Sequence, residues 1–201
     1  MARKTRIWFP GATYHITARG NRRASIFHDT QDYQTYMSLI GSCKNDLPFS
    51  IHAYCLMPNH IHLLLETEEK PPGTIIKFIH SRYAVYFNKR YELTGHVFQD
   101  RYHAKLVNSN DYFLWASRYI HLNPVKAKIT SKPEHYYWSS YSNYMDGSKE
   151  NSVLETKRIL SLFPEPTKKE YCTYVEKIED DGGDCPPPLY HSIVTGDSPH
   201  E

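Results

Sequence analysis

Residues 48–67 restrict the fold of this chain more than any other stretch. Two short apolar runs, 48–57 and 60–67, are separated only by Pro58 and Asn59. A run that is short, apolar and bounded by a turn residue reads as a buried strand. Two strands joined so closely pair antiparallel. In the first, Phe49, Ile51 and Ala53 are predicted to share a face. In the second, residues two apart point the same way, so His60 and His62 aim their rings at one face, roughly 7 Å apart along the backbone. Ile61 turns to the other face and anchors the strand in the core. Two imidazoles so placed can ligate one metal ion. The chain has twelve histidines, and any one of them is more often a surface or hydrogen-bonded ring than a ligand. The His-x-His pair therefore acquires meaning only if other stretches supply further parts of a site.

The flanking pattern gives the rest of the framework. Residues 11–18 alternate in polarity, with Ala12, Tyr14 and Ile16 on one face, and read as a strand. A basic turn, Arg19-Gly20-Asn21-Arg22-Arg23, follows it. Tyr33, Tyr36, Met37 and Ile40 form the stripe of an amphipathic helix over 30–45, with Asp29 or Thr30 as its cap. Pro71-Pro72-Gly73 breaks the chain before a helix over 74–90. A strand is predicted near 102–107, then a helix capped by Asn108 or Ser109. That helix is expected to end at Asn123, because Pro124 disfavours helical geometry in the residue before it. The order strand, helix, strand, strand, helix, strand is the split β-α-β pattern. The predicted fold class is α+β: a ferredoxin-like or RRM-like β-α-β-β-α-β antiparallel sheet, with its two helices on one face and one more helix after the last strand.

Length and charge set the outer bounds. Two hundred and one residues suit one domain plus a small appendage. The Tyr136–Tyr141 cluster is expected to pack on the body. Residues 152–163 are read as a helix, and Thr167 with Glu170 as a capping box for another. From Asp180 the chain is acidic, then rich in Gly and Pro, and little order is expected. The expected units are a body over 1–147, a helical appendage over 148–180 and a disordered tail over 181–201. Residues 1–145 carry 18 Lys and Arg against 10 Asp and Glu, whereas 146–201 carry 6 against 12. A basic body points to a polyanionic partner, and the acidic tail is expected to be dispensable for chemistry. No signal peptide or membrane-spanning run is visible, no cysteine pair has C-x-x-C spacing, and free thiols suit a cytoplasmic setting.

The second informative stretch is Arg118–Ala127. Tyr119 and Asn123, four apart on a helix, lie roughly 40° apart around the axis and about 6 Å apart along it. Both can face one site. A tyrosine oxygen acts as a nucleophile once its surroundings favour deprotonation, and an amide carbonyl is a suitable ligand for a hard divalent ion. With seventeen tyrosines in the chain, spacing alone does not select Tyr119.

Taken together, these stretches resemble the REP-associated tyrosine transposases, single-tyrosine members of the HUH nuclease superfamily. The resemblance covers residues 8–145. It is carried by Pro10–Thr17 with Arg19-Gly20, His52–Leu65, Gly95–Gln99 with Arg101, Arg118–Val125, and Trp138–Tyr141. It implies a nuclease, nucleoid-associated in the cytoplasm, that nicks and rejoins single-stranded DNA at hairpin-flanked sites through a 5′-phosphotyrosine link. Carried over by motif, Tyr119 is the nucleophile on the helix after the last strand. His60, His62 and Asn123 are ligands for Mg2+ or Mn2+. Arg19, Arg22, Arg23, Lys77, Arg82, Arg101, Lys105 and Arg118 are candidates for phosphate contacts. The chain is expected to act as a monomer or homodimer, without a membrane. Two other readings compete. One is a non-catalytic nucleic-acid binder, since a ferredoxin-like sheet with aromatics also describes RNA-binding modules. The other is a metal-dependent hydrolase without a covalent intermediate, its third ligand drawn from His52, His96, His103 or His121.

Overall fold

A computed structural model describes residues 7–145 and 151–177 of the chain. Strands β1 (Thr13–Arg19), β2 (Phe49–Met57), β3 (His60–Thr67) and β4 (His103–Val107) form one antiparallel sheet in the order β2-β3-β1-β4. Helices α1 (Thr30–Asp46) and α2 (Pro72–Arg90) supply the two crossovers, and α3 (Asn110–Lys126) follows β4. This is the expected ferredoxin-like arrangement. The pleat sends Tyr14, Ile16, Ile61, Leu63 and Leu65 to one face, where they meet Tyr36, Ile40, Ile76 and Tyr83 of α1 and α2. α3 covers the opposite face, packing Phe113, Ala116 and Ile120 on Ala53, Cys55, Met57 and Leu64. Among the described residues no helix is long and apolar enough to cross a membrane.

Local chemistry explains where the elements begin. The Asp29 carboxylate accepts the N–H groups of Gln31 and Asp32 at 3.0 and 3.2 Å and so caps α1. Pro71 and Pro72 do not merely break the chain. Pro72 is the first residue of α2, where a missing N–H is harmless and its φ is already helical. Ser109 caps α3 by accepting the Tyr112 N–H at 3.1 Å. Asp32 is fully buried, and Arg90 with the Tyr91 hydroxyl binds its carboxylate at 2.6 and 2.8 Å, tying α1 to α2.

Four expectations change. The β2–β3 register shifts between Ile51 and Ala53, a β-bulge that reverses the alternation. Ala53 therefore faces α3, while Tyr54 and Leu56 join Phe49 and Ile51 on the other side. α3 runs through Pro124 to Lys126. Proline removes one N–H only a turn from the helix end, where the Asn123 side-chain amide still donates to the Tyr119 carbonyl at 3.2 Å. Of 152–163, only Lys157–Leu160 is helical (α5), after the short α4 at Tyr141–Met145. Finally, α6 (Thr167–Glu176) starts at an N-cap Pro166 without a side-chain bond, so Thr167 is its first residue and no capping box forms.

The segment 151–177 packs into the body. Tyr171 and Val175 of α6 are fully buried in the cluster built around α3. The Tyr171 hydroxyl reaches His121 Nδ1 at 2.7 Å and Ser117 Oγ at 3.2 Å. The tail expected over 181–201 lies outside the described residues. A chain ending near Gly147 would strip this cover from α3, so the expectation that everything after 147 is dispensable is withdrawn. Tyr171→Ala is expected to destabilise the fold by about 3–5 kcal/mol, read from denaturant unfolding, because it empties a large core site. A cost within 1 kcal/mol would contradict this packing.

His121 gives the fold a pH dependence of defined sign. Burial lowers its pKa to about 3, and its ring lies between Ser140 Oγ at 2.8 Å and the Tyr171 hydroxyl. The unfolded chain protonates histidine near 6.5. The stabilisation from the neutral ring is therefore complete above about 6.5 and is lost progressively as pH falls toward 3. Thermal unfolding across that window is expected to show a smaller acid loss in His121→Gln than in the parent.

Candidate active site

The β1–β3 register sets Thr17 opposite His62 and Arg19 opposite His60. All four face α3, because they alternate with the residues of the α1–α2 core. His62 is 5% exposed. Its Nδ1 lies 3.2 Å from His15 Nε2, and His60 Nδ1 lies 2.6 Å from the Asn59 side-chain oxygen. The Asn123 side chain of α3 lies beside both rings and favours their charged forms, against the effect of burial. Its amide nitrogen donates to the Tyr119 carbonyl at 3.2 Å. The His60 and His62 ring centroids are 5.0 Å apart with planes at 82°.

Electrostatics keeps this cluster neutral. Burial, then His15, His60 and Arg19, holds the His62 pKa well below its ordinary value. Burial and Arg19 also lower His60, against the opposing hydrogen bond from Asn123. Burial with Lys105 and His103 brings His15 down to about 4. Neutral imidazoles present lone pairs, and with a neighbouring amide oxygen they are donor types suited to a divalent cation. Among the described residues, no group of three or more His, Cys, Asp or Glu side chains is placed to hold a metal.

Tyr119 joins the same cluster. Its ring meets His62 edge-on at 5.5 Å and His15 at 5.7 Å between centroids. Trp115 stacks on it at 5.1 Å, and Lys126 Nζ lies 5.3 Å from its centroid. A pocket of about 380 Å³ opens here, lined by Thr17, Arg19, His60, His62, Gln99, Asp100, Arg101, His103 and Tyr119.

The basic residues divide. Arg19 and Arg101 line this pocket. Arg22 and Arg23 are exposed on the adjoining turn, both with left-handed backbone, φ 53° and 61°. Gly20 admits that turn by its size, since a Cβ there would lie 2.2 Å from the Ala24 carbonyl oxygen. Lys105 on β4 has its ammonium 4.7 Å from the Tyr112 ring centroid. Lys77 and Arg82 are exposed on α2, across the sheet from α3, and the Arg82 guanidinium lies over the Phe78 ring. Arg118 departs from expectation. It is buried and donates to the carbonyls of Tyr174, Val175 and Lys177, at and just past the end of α6. It is therefore not displayed to a phosphate.

The other histidines weighed as ligands scatter. His52, in the bulge, binds the Glu66 and Glu155 carboxylates at 2.8 and 3.1 Å. His121 is in the core, His96 lines a neighbouring cavity, and only His103 reaches the site. His15 went unnoticed in the sequence. The alternation of its strand, which puts it opposite Tyr14 and Ile16, carried the signal.

Residues 9–123 match the family model described as IS200-like transposase. No match was found among curated proteins. Of solved structures, a REP-associated tyrosine transposase bound to a REP hairpin superposes with a TM-score of 0.62 at 21% identity, over 77% of this chain and 98% of that one. A candidate transposase from Deinococcus radiodurans R1 gives 0.42 at 16% identity, over 55% and 89%. The first of these likenesses shows the fold. The family match spans more than half of the chain and contains His15, His60, His62, Tyr119 and Asn123, and on that ground the chain belongs to the IS200-like transposase family.

Proposed function

We propose that this transposase nicks and rejoins single-stranded DNA beside hairpins, with Tyr119 as nucleophile and His60, His62 and Asn123 holding Mg2+ or Mn2+. One observation carries the reading: α3 sets Tyr119 edge-on against His62 and places the Asn123 amide beside the neutral His60 and His62. Two imidazole nitrogens and one amide oxygen fit a divalent cation with room for further oxygen ligands. Such a cation, when bound, supplies Lewis-acid stabilisation of charge on a phosphate oxygen. Arg19 and Arg101 at the pocket rim attract the phosphate, and Arg22, Arg23 and Lys105 lie within the same basic surroundings. The Tyr119 phenolic oxygen bonds to phosphorus, the bond from phosphorus to the 3′ oxygen breaks, and that oxygen takes up the proton that the phenol gives to solvent. The 5′ side of the break stays on the protein. Attack by another 3′-hydroxyl reverses the exchange, restoring a phosphodiester and the free phenol.

Tyr119→Phe removes only the oxygen. Hairpin DNA with single-stranded flanks, incubated with Mn2+ and run on a denaturing protein gel, is expected to give a covalent adduct with the parent and none with the variant. Nicking retained by Tyr119→Phe, or an adduct mapped to another tyrosine such as Tyr112 or Tyr102, would overturn the assignment.

The cation site has its own readout. His60→Ala and His62→Ala are expected to fold with near-parental thermal transitions and to lose Mn2+ binding by calorimetry. His15→Gln, which removes the ring that orients His62, should weaken Mn2+ about 10- to 100-fold, the usual range for the loss of a partner that orients a metal ligand. Parental Mn2+ affinity in both His60→Ala and His62→Ala would remove the metal site.

A further inference from the structure

Apart from Arg101, the Gly95–Arg101 segment has no part in the chemistry above, yet the structure gives it a distinct position. Gln99, Asp100 and Arg101 form a wall shared by the active-site pocket and a second, larger cavity. That cavity encloses about 660 Å³ between α2 and residues 95–102, within the usual span of small-ligand pockets. Ile76 and Ala84 of α2 and Val97 give it apolar walls. His80 and Phe98, stacked at 3.9 Å with planes 9° apart, add aromatic surface. Ser81, Gln99 and the Tyr102 hydroxyl offer polar edges, and Lys77 adds positive charge. An apolar and aromatic slot with a few hydrogen-bonding edges suits a planar heteroaromatic ring.

We propose that this cavity receives one unpaired nucleobase of the strand whose phosphate lies at Tyr119. Continuity with the site names the occupant, since a strand in the smaller pocket needs only to cross the shared wall. The wall is fixed rather than loose. The Gln99 N–H donates to the Arg19 carbonyl at 2.9 Å, the Asn21 N–H to the Val97 carbonyl at 2.8 Å, and Phe98 forms a β-bridge with Gly20. A base seated against Phe98 is thereby registered to Arg19, which lies opposite His60. The cavity thus makes cleavage depend on an unpaired base at one position of the strand, and duplex DNA offers none. This assignment rests on the nuclease reading above.

The test separates the two. Full-length Tyr119→Phe protein is titrated by fluorescence anisotropy with a labelled hairpin whose single-stranded flanks carry one abasic site at a time. One position is expected to weaken binding roughly 10-fold, since stacking of a base on aromatic side chains contributes about 1–3 kcal/mol. Ala84→Trp fills the cavity and should erase the difference between the intact and abasic strands at that position. Ser81→Trp, on the exposed rim of α2, does the same without disturbing the core. Absence of any sensitive position, or an undiminished abasic penalty in both filled variants, overturns the proposal. Adduct formation by protein with Tyr119 intact is scored in parallel. An adduct without base dependence removes the base site alone, whereas a base-dependent complex without an adduct removes the nuclease reading alone.

Discussion

Everything at the site depends on the pairing of β1 with β3. Side chains alternate along both strands, so a slip of one residue would exchange the apolar set Ile61, Leu63 and Leu65 with His60, His62 and Leu64. The register is pinned at both ends. At one end the Gly11 N–H donates to the Thr67 carbonyl at 2.7 Å, and the Thr67 N–H and hydroxyl return to the Ala12 carbonyl. At the other, the Gly20 N–H meets the Asn59 carbonyl at 2.8 Å, and the Ile26 N–H meets that of Pro58. The turn that joins β2 to β3 is therefore held from outside, and its Asn59 side chain orients His60. Sheet register and imidazole orientation are set by the same few bonds.

The second requirement is that α3 arrive in the correct rotation. Tyr119 and Asn123 face the histidines, while Ser117, Arg118 and His121, between and beside them in sequence, face away. Those three are held by α6, through the Tyr171 hydroxyl and through carbonyls at its C-terminal end. Placing a guanidinium at a helix C-terminus is also favourable to the helix dipole. Arg118 thus serves the site by fixing the helix that carries its neighbour Tyr119. A residue type suited to phosphate has been taken up by packing, and only its burial reveals that.

The sequence was most legible where patterning is strongest. The two runs around Pro58-Asn59 and the helical stripes in α1 and α2 identified the elements and their order, and the His60/His62 face followed from the pleat alone. The β2 bulge was hidden, since both faces of that strand are buried and apolar residues occupy every position whichever way it is phased. The continuation of α3 past Pro124 was hidden too, because the rule for the residue before proline is a local preference and does not see the packing that buries Ile120, His121 and Pro124. His15 carries no spacing motif of its own. Alternation gives the face it points to, but its place beside His62 comes from pairing between strands far apart in the chain. The role of α6 was obscured in the same way, by its distance in sequence from α3.

The α3 face of the sheet is divided along its length, and the division lets one strand serve both core and site. Leu64 of β3, with Ala53 and Cys55 of β2, meets Phe113 and Ala116 in a dry cluster. Nearer the Pro58-Asn59 turn the same face carries His60, His62 and Thr17, and it meets Tyr119 and Asn123 from the later turns of α3. Apolar contact on the first half holds α3 to the sheet, so the polar half need not contribute attraction of its own. Buried imidazoles are unfavourable as ions, and here the Nδ1 atom of each has a partner. The polar half is in this way held in place but not closed, and it opens into the pocket. His60, His62, Tyr119 and Asn123 are thereby pre-positioned, because the apolar half has already fixed both surfaces that carry them.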